Sequence, residues 1–304
     1  MTGVVTRSNF PRLLLGSISE IYGLKYAQLP AIYKEVFDVI SSSRAYEEYV
    51  ELSGLGMASV KQEGAILQED SMKQGLTTKI SNVTYGKMMA ITMEAMRDNQ
   101  YGASILRMAP ELAKSVRHAE ETAAANVLNL AFDTSQLMAD GVVVCSTAHL
   151  NSRDGSTFAN RPSAAVDLSE AALEQAVIDI YGMTGPDGLR IEVTPEKLVI
   201  PRQLIFEAHR ILKSTLRVGT ADNDANALKD MGMLQTVIPW RFLTDTDAWF
   251  IKTNVERALV FQDRSAAEFD TDNDFVTKNV LYSVHRRFGI GAVDAHGLYG
   301  SPGA

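Results

Sequence analysis

Residues 110–131, PELAKSVRHAEETAAANVLNLA, decide how the rest of the chain is organised. Leu112, Ala113, Val116, Ala119, Ala123, Val127, Leu128 and Ala131 recur at steps of three and four, the spacing that lines up one face of an α-helix. Lys114, Arg117, His118, Glu121 and Thr122 fall largely on the other sides. The pattern predicts one helix within Ser104 to Asp133, with Pro110 in its first turn, where a missing N–H costs nothing. About 24 residues at 1.5 Å each give a rod about 36 Å long. That exceeds the usual globular helix and predicts the spine of an elongated domain.

Upstream of the spine, the first 45 or so residues mix helical pieces with Pro11 and Pro30. The apolar positions Leu24, Tyr26, Leu29, Ile32, Tyr33, Val36, Phe37 and Ile40 do not merge into one long helix. This stretch reads as an arm that packs on something else. From Tyr46 to Leu67, Gly54, Gly56 and Gly64 interrupt short extended pieces, and a second extended run carries Thr77, Thr78, Ile80, Val83 and Tyr85. Between the runs lies Gln68-Glu69-Asp70, so a projecting hairpin with a polar tip is expected. A two-stranded hairpin is marginally stable alone and gains from a neighbour. Ala90 to Asn99 returns to helical composition.

Downstream, a compact module with alternating elements is expected. Gly141 to Cys145 reads as extended, Ser169 to Tyr181 as a helix with Ser169 as N-cap, Lys197 to Ile200 as a strand, and Gln203 to Leu216 as a helix. Arg217 to Ala227 reads as an exposed loop, followed by strands at Thr236 to Ile238, Trp249 to Lys252 and Ala258 to Phe261. Val280, Tyr282, Val284, Arg286 and Phe288 alternate as one strand face should.

Composition narrows the function. The chain has 304 residues, 46% hydrophobic and 22% charged, which suits a folded protein. Its net charge of −8 disfavours tight nucleic-acid binding. The basic triplet His285-Arg286-Arg287 points to alternating faces and reads as a solvated strand. No apolar run approaches the ~20 residues of a membrane span, the start carries no secretory pattern, and production in a cytosol is expected. The single cysteine, Cys145, excludes an intrachain disulfide.

Candidate chemistry is sparse. Cys145 and His149 are spaced for a nucleophile and base, the chemistry of a Cys/His hydrolase, yet no third orienting group accompanies them. A buried structural cysteine and histidine is the plainer reading. Asp270-Thr271-Asp272-Asn273-Asp274 opens like a calcium loop, but Phe275 and Leu281 stand where Gly and Glu are needed, so a solvated acidic turn is expected. Asp222-Asn223-Asp224 fails likewise, at Ala227 and Met233. His118 on the spine lacks the second His of a zinc hydrolase, and Gly289-Ile290-Gly291 lacks the third glycine and the helix of a dinucleotide site. Trp240 and Trp249 read as packing anchors. No catalytic, cofactor-binding or metal-binding residue is assigned.

Several stretches, in order, resemble the Mu-like bacteriophage major capsid family. They are Thr84-Tyr85-Gly86 through Met88, Ile91 and Met93 to Asp98-Asn99; Asn126-Val127-Leu128-Asn129 with Ala131-Phe132 and Asp140-Gly141; and Thr147-Ala148-His149-Leu150-Asn151. Leu198-Val199-Ile200-Pro201 follows, with Ala208, Ile211-Leu212, Ser214 and Gly219-Thr220-Ala221-Asp222-Asn223-Asp224, then Asp272-Asn273-Asp274-Phe275 and Arg286-Arg287-Phe288-Gly289. The resemblance implies an α+β chain with the Hong Kong 97-type major capsid fold. Its parts would be an N-terminal arm (1–45), an extended hairpin loop (46–95), a peripheral domain with the spine helix (96–139), an axial domain (140–250), and returning strands (251–304).

It further implies a non-enzymatic subunit of the virion, assembled in the bacterial cytoplasm. Copies of the chain would form hexamers and pentamers and close into an icosahedral head around DNA that they do not read by sequence. Scaffold, portal, protease or decoration proteins would be further partners, with scaffolding separate or already cleaved, since no charged helical extension precedes the arm. Some relatives join a loop lysine to a neighbour's asparagine, for which Lys61, Lys73 and Lys79 are available. An encapsulin-like compartment is the alternative within the same fold.

Overall fold

The computed structural model describes residues 10–64, 66–92, 94, 102–215, 225–274, 276–277 and 279–304. The spine is helix α3, Gly102–Asn129, after α1 (Phe10–Gln28) and α2 (Tyr33–Val36). At 28 residues it starts earlier than its periodicity suggested, and Pro110 lies inside it instead of in the first turn. The preceding stretch, with Ala103, Leu106, Arg107, Met108 and Ala109, is rich in strong helix formers, which offsets the cost of an interior proline, ~3 kcal/mol.

Two four-stranded sheets flank the spine. The first has the order β1-β10-β11-β4, where β1 is Asp38–Ser41, β4 Val83–Ile91, β10 Leu259–Asn273 and β11 Val280–Ala292. β1 runs parallel to β10, and the other pairs are antiparallel. The second has the order β12-β9-β7-β8, from β7 (Pro195–Ile200), β8 (Thr236–Pro239), β9 (Trp249–Thr253) and β12 (Leu298–Ser301). Helices α4 (Glu170–Tyr181), α5 (Ile205–Lys213) and α6 (Ala227–Asp230) accompany it. Ser169 caps α4 as its sequence suggests, its hydroxyl accepting from the Ala172 N–H at 3.2 Å. The hairpin β2–β3 (Tyr46–Leu52, Gln74–Ser81) and the small pair β5–β6 (His149–Leu150, Thr157–Phe158) complete the fold.

Three apolar clusters hold these parts together. One joins α2, α3 and both sheets through Phe37, Leu128, Trp240, Phe261 and Phe288. Another fills the second sheet with Leu173, Ile180, Leu198, Ile211 and Trp249. A third packs Tyr22 of α1 against Leu112 and Val116 of α3 and Tyr282 of β11.

Several sequence readings need correction. The arm is not without a core of its own: Tyr22 and Tyr33 are buried, and Tyr22 stacks on Phe269 at 5.4 Å, so aromatic residues dock the arm onto its own body. Gly141 to Cys145 is not a strand, since only Val143 forms a bridge there, to Leu137. The helix expected at Gln203 to Leu216 is a 3₁₀ turn at Arg202–Leu204 followed by α5. Ala90 and Ile91 end β4.

Strand β10 is far longer than Ala258 to Phe261. Asp270 to Asn273 pair with Ser283 to Val280 as strand and not as an acidic turn. Phe269, stacked between Tyr22 and Tyr282, pins this segment to the sheet and overrides the low strand propensity of aspartate. Met93, 95–99, 216–224 and Phe275 lie outside the described residues, and with them most of the helical reading of Ala90 to Asn99 and the loop after α5.

Candidate functional site: a projecting hairpin and its anchors

The hairpin rises from the first sheet through close backbone packing. A Cβ on Gly289 would lie 2.9 Å from Asn82 Oδ1, Gln262 Oε1 and the Ser81 carbonyl, and one on Gly291 would lie 2.9 Å from Ile80. These glycines let β11 approach the hairpin root, which is their structural use. Gln262 donates to the Tyr49 hydroxyl at 3.0 Å, and Asn82 donates to Ser42 Oγ at 2.8 Å. The ladder runs from Tyr46↔Ser81 to Leu52↔Gln74, and the Ser53 N–H donates to the Lys73 carbonyl just beyond it.

The tip spans 53–73 and is mixed, with exposed Lys61, Gln62, Glu63, Gln68 and Glu69 beside more large apolar side chains than the expected polar tip would carry. Met57 is 81% exposed, Val60 95% and Ile66 96%, while Leu55, Leu67 and Met72 are also exposed. Gly64 takes a left-handed φ of 77° within it. The three glycines end strand pairing early, so these side chains have no partner strand to cover them. Lys61, Lys73 and Lys79 are exposed, and Lys79 Nζ sits 3.7 Å from the centre of the Tyr46 ring.

Below the hairpin lie two histidines stacked on Phe158, His149 at 5.3 Å and His296 at 4.0 Å between ring centres. His149 Nδ1 meets Asp140 Oδ2 at 2.6 Å and its Nε2 faces the Val144 carbonyl at 3.2 Å. His296 Nδ1 meets Asp294 Oδ1 at 2.6 Å and its Nε2 faces the Thr184 carbonyl at 2.9 Å. Burial opposes charge on His296, but the hydrogen bond and charge of Asp294 outweigh it and hold its pKa above the ordinary value. Asp294 is held low by the same partnership, against the effect of burial.

The Cys145–His149 dyad is not formed as a hydrolase would need. Both ring nitrogens of His149 are engaged elsewhere. Cys145 is fully buried in the apolar core, and burial drives its thiol pKa far up, away from a thiolate. Among the described residues no group of three His, Cys, Asp or Glu side chains could hold a metal ion. Trp240 and Trp249 are buried anchors, donating to Glu121 Oε2 at 2.7 Å and to the Val166 carbonyl at 3.1 Å.

A buried charge network ties arm, spine and sheet together. Glu120, fully buried, receives the Tyr26 hydroxyl and the Arg117 guanidinium, each at 2.5 Å, and contacts Arg286 Nε. Burial pushes the Glu120 carboxyl up against the pull of Arg286, Tyr26 and Arg117. Arg286 is therefore not a solvated strand residue, although its neighbour His285 is exposed and lies 3.2 Å from Glu268. Arg117 and Glu121 likewise turn inward and not to the outer faces of the spine. The signal was available for Arg286, which shares the alternating register of Val284 and Phe288. Arg153, which donates to the Gly54 carbonyl and meets Asp70 at the hairpin loop, and His296, held by Asp294 and Thr184, carry no local signal.

Compared with known proteins, the chain matches at residues 75–301 the model of a family described as phage capsid protein. No curated protein matches it in sequence. Among solved structures it is similar to the procapsid of bacteriophage JBD30, at 15% identity and a TM-score of 0.53, over 98% of this chain and 76% of that one. It is also similar to the capsid of cyanophage P-SCSP1u, at 11% identity and a TM-score of 0.58, over 89% and 87%. A virus-like particle from Pyrococcus furiosus matches at 10% identity and a TM-score of 0.52, over 93% and 97%. At such identities these likenesses establish the fold, the Hong Kong 97-type α+β capsid fold.

Proposed function

The chain belongs to the phage capsid protein family, and from that premise we propose how it works as the major capsid protein of a tailed phage, a structural subunit and not an enzyme. The exposed apolar tip of the hairpin docks on an adjacent copy, and repetition of that contact builds hexamers and pentamers that close into an icosahedral head around DNA. The observation that carries this reading is the tip itself. Six large apolar side chains protrude from a loop with no core beneath it, an arrangement that marks a protein contact surface. The whole-molecule charge of −8 suits a container that does not grip its genome.

The finer assignment, to the Mu-like group, rests on the ordered motifs from Thr84 to Gly289. The division into arm, loop, peripheral domain, axial domain and returning strands belongs to the same reading. So do cytoplasmic assembly and the roles of scaffold, portal, protease or decoration proteins.

Electron microscopy and sedimentation of the purified chain at rising concentration test the proposal. Shells, tubes or capsomer rings are expected from the natural sequence. A variant carrying Val60→Asp and Ile66→Asp should stay monomeric with an unchanged unfolding midpoint, because both sites are solvent-exposed. Normal assembly by that variant would refute docking through the tip.

A further inference from the structure

We propose that Arg153 is a positioning residue for assembly, setting the direction in which the hairpin tip leaves the body before a neighbouring copy arrives. This rests on the docking reading above and deepens it. Arg153 lies in the turn between β5 and β6, and its backbone N–H donates to the Pro186 carbonyl at 3.0 Å, which pins that turn to the body. Its guanidinium then reaches both limbs of the loop. One Nη donates to the Gly54 carbonyl on the outgoing limb, and the other meets Asp70 Oδ1 at 2.6 Å on the returning limb. Asp70 in turn receives the Gly56 N–H at 2.8 Å and the Ser71 N–H at 2.8 Å, so the clasp also ties the limbs to each other.

The position of the clasp gives it this role. It closes just past Leu52↔Gln74, where the β2–β3 ladder ends. Met57, Val60, Ile66 and Leu67 all lie between the two clasped points. A planar guanidinium with two acceptors fixes direction as well as distance, which one ammonium cannot do. A separate contact shows the same turn pressed on the hairpin: a Cβ added to Gly75 would lie 2.6 Å from Ser152 Oγ. The Arg153 side chain keeps 17% exposure and that of Asp70 37%, so the pair contributes little to global stability. Its effect is on the population of tip directions. If release of the clasp leaves about one conformer in ten competent to dock, apparent assembly weakens about tenfold.

The test compares Arg153→Ala, Arg153→Lys, Asp70→Ala and the double alanine variant with the natural chain, by thermal unfolding and by light-scattering kinetics of assembly. Arg153→Ala should unfold normally and assemble about tenfold more slowly, with Arg153→Lys between the two. The double variant should be no slower than Arg153→Ala, since both changes open one clasp. Assembly of Arg153→Ala at the natural rate, while Val60→Asp with Ile66→Asp stays monomeric, overturns the role of Arg153 and leaves docking intact. Normal assembly by the tip variant overturns docking, and this inference with it. A lowered unfolding midpoint in both alanine variants, or additive slowing in the double variant, also overturns it, because Arg153 would then support the fold and not the direction of the tip.

Discussion

Replacing Arg286 by alanine tests whether the buried charges hold the spine to the sheet. Arg286 is 5% exposed and Glu120 0%, and they sit on opposite elements, β11 and α3. Removing one partner of a buried pair typically costs 3–5 kcal/mol, because the remaining charge loses compensation without regaining water. Here Arg117 and Tyr26 still reach Glu120, which lowers the expected loss to about 2–4 kcal/mol. Chemical denaturation at neutral pH measures it. The pH dependence is more diagnostic. Burial already raises the Glu120 pKa, and loss of the guanidinium raises it further. A carboxyl whose folded pKa exceeds its unfolded value favours folding below the unfolded value, and that contribution is lost as pH rises. The deficit of Arg286→Ala relative to the natural chain should therefore be largest at neutral pH and shrink toward pH 4. Adding Glu120→Gln should recover part of it. A loss under about 1 kcal/mol, or one that does not change with pH, would show that the network is solvated and would refute the reasoning.

Other perturbations probe the remaining anchors. His296, with its pKa above the ordinary 6.5, stabilises the fold fully below that value and loses the contribution as pH rises through its folded pKa. Asp294, held below 3.8, contributes above that value and loses it as pH falls. Unfolding midpoints should thus be highest between these limits, and His296→Gln should flatten the decline on the alkaline side. Gly289→Ala forces a Cβ to within 2.9 Å of three oxygen atoms and should cost about 1–3 kcal/mol, measured by denaturation; a neutral result would mean that the hairpin root can shift away. Cys145 should resist thiol reagents in the native chain and react only on unfolding, since burial suppresses its thiolate.

The parts of the fold that the sequence made legible are those set by local periodicity. The spine, the capped helix α4 and strand β11 each carry a repeat of 3.6 or 2 that survives in the structure, whereas β7, β8 and β9 are legible from short runs of β-branched and aromatic residues, β9 being buried throughout. The misread parts depend on partners distant in sequence. Asp270 to Asn273 resemble a turn until Phe269 stacks between Tyr22 and Tyr282. Arg117 and Glu121 look like solvent-facing spine residues until Tyr26, Trp240 and Glu120 surround them. The Cys145–His149 spacing looked chemical because a sequence shows nearness without direction. Asp140, nine residues before His149, is what gives that histidine its structural role.

The hairpin tip joins these two kinds of evidence. Its glycines were visible and predicted broken strands, but Gln68-Glu69-Asp70 drew the tip toward a polar reading. In the fold, Asp70 is turned back to Arg153 and Gly56, while Glu63 and Glu69 stay exposed beside the outward apolar residues. The chain bonds its buried Glu120 and Glu121, the stacked pair His149 and His296, and both tryptophans, yet leaves Val60 and Ile66 almost wholly in water within a tip that carries six exposed large apolar side chains, while Phe206 and Val276 are exposed elsewhere. Burying a side chain of that class is worth about 1.5–3 kcal/mol. Two or three such side chains at each contact, repeated around a ring of copies, therefore supply a driving force that no single copy can realise. If the proposed docking holds, the body with its Arg153 clasp folds first, and the apolar side chains of the tip gain their burial when a second copy covers them.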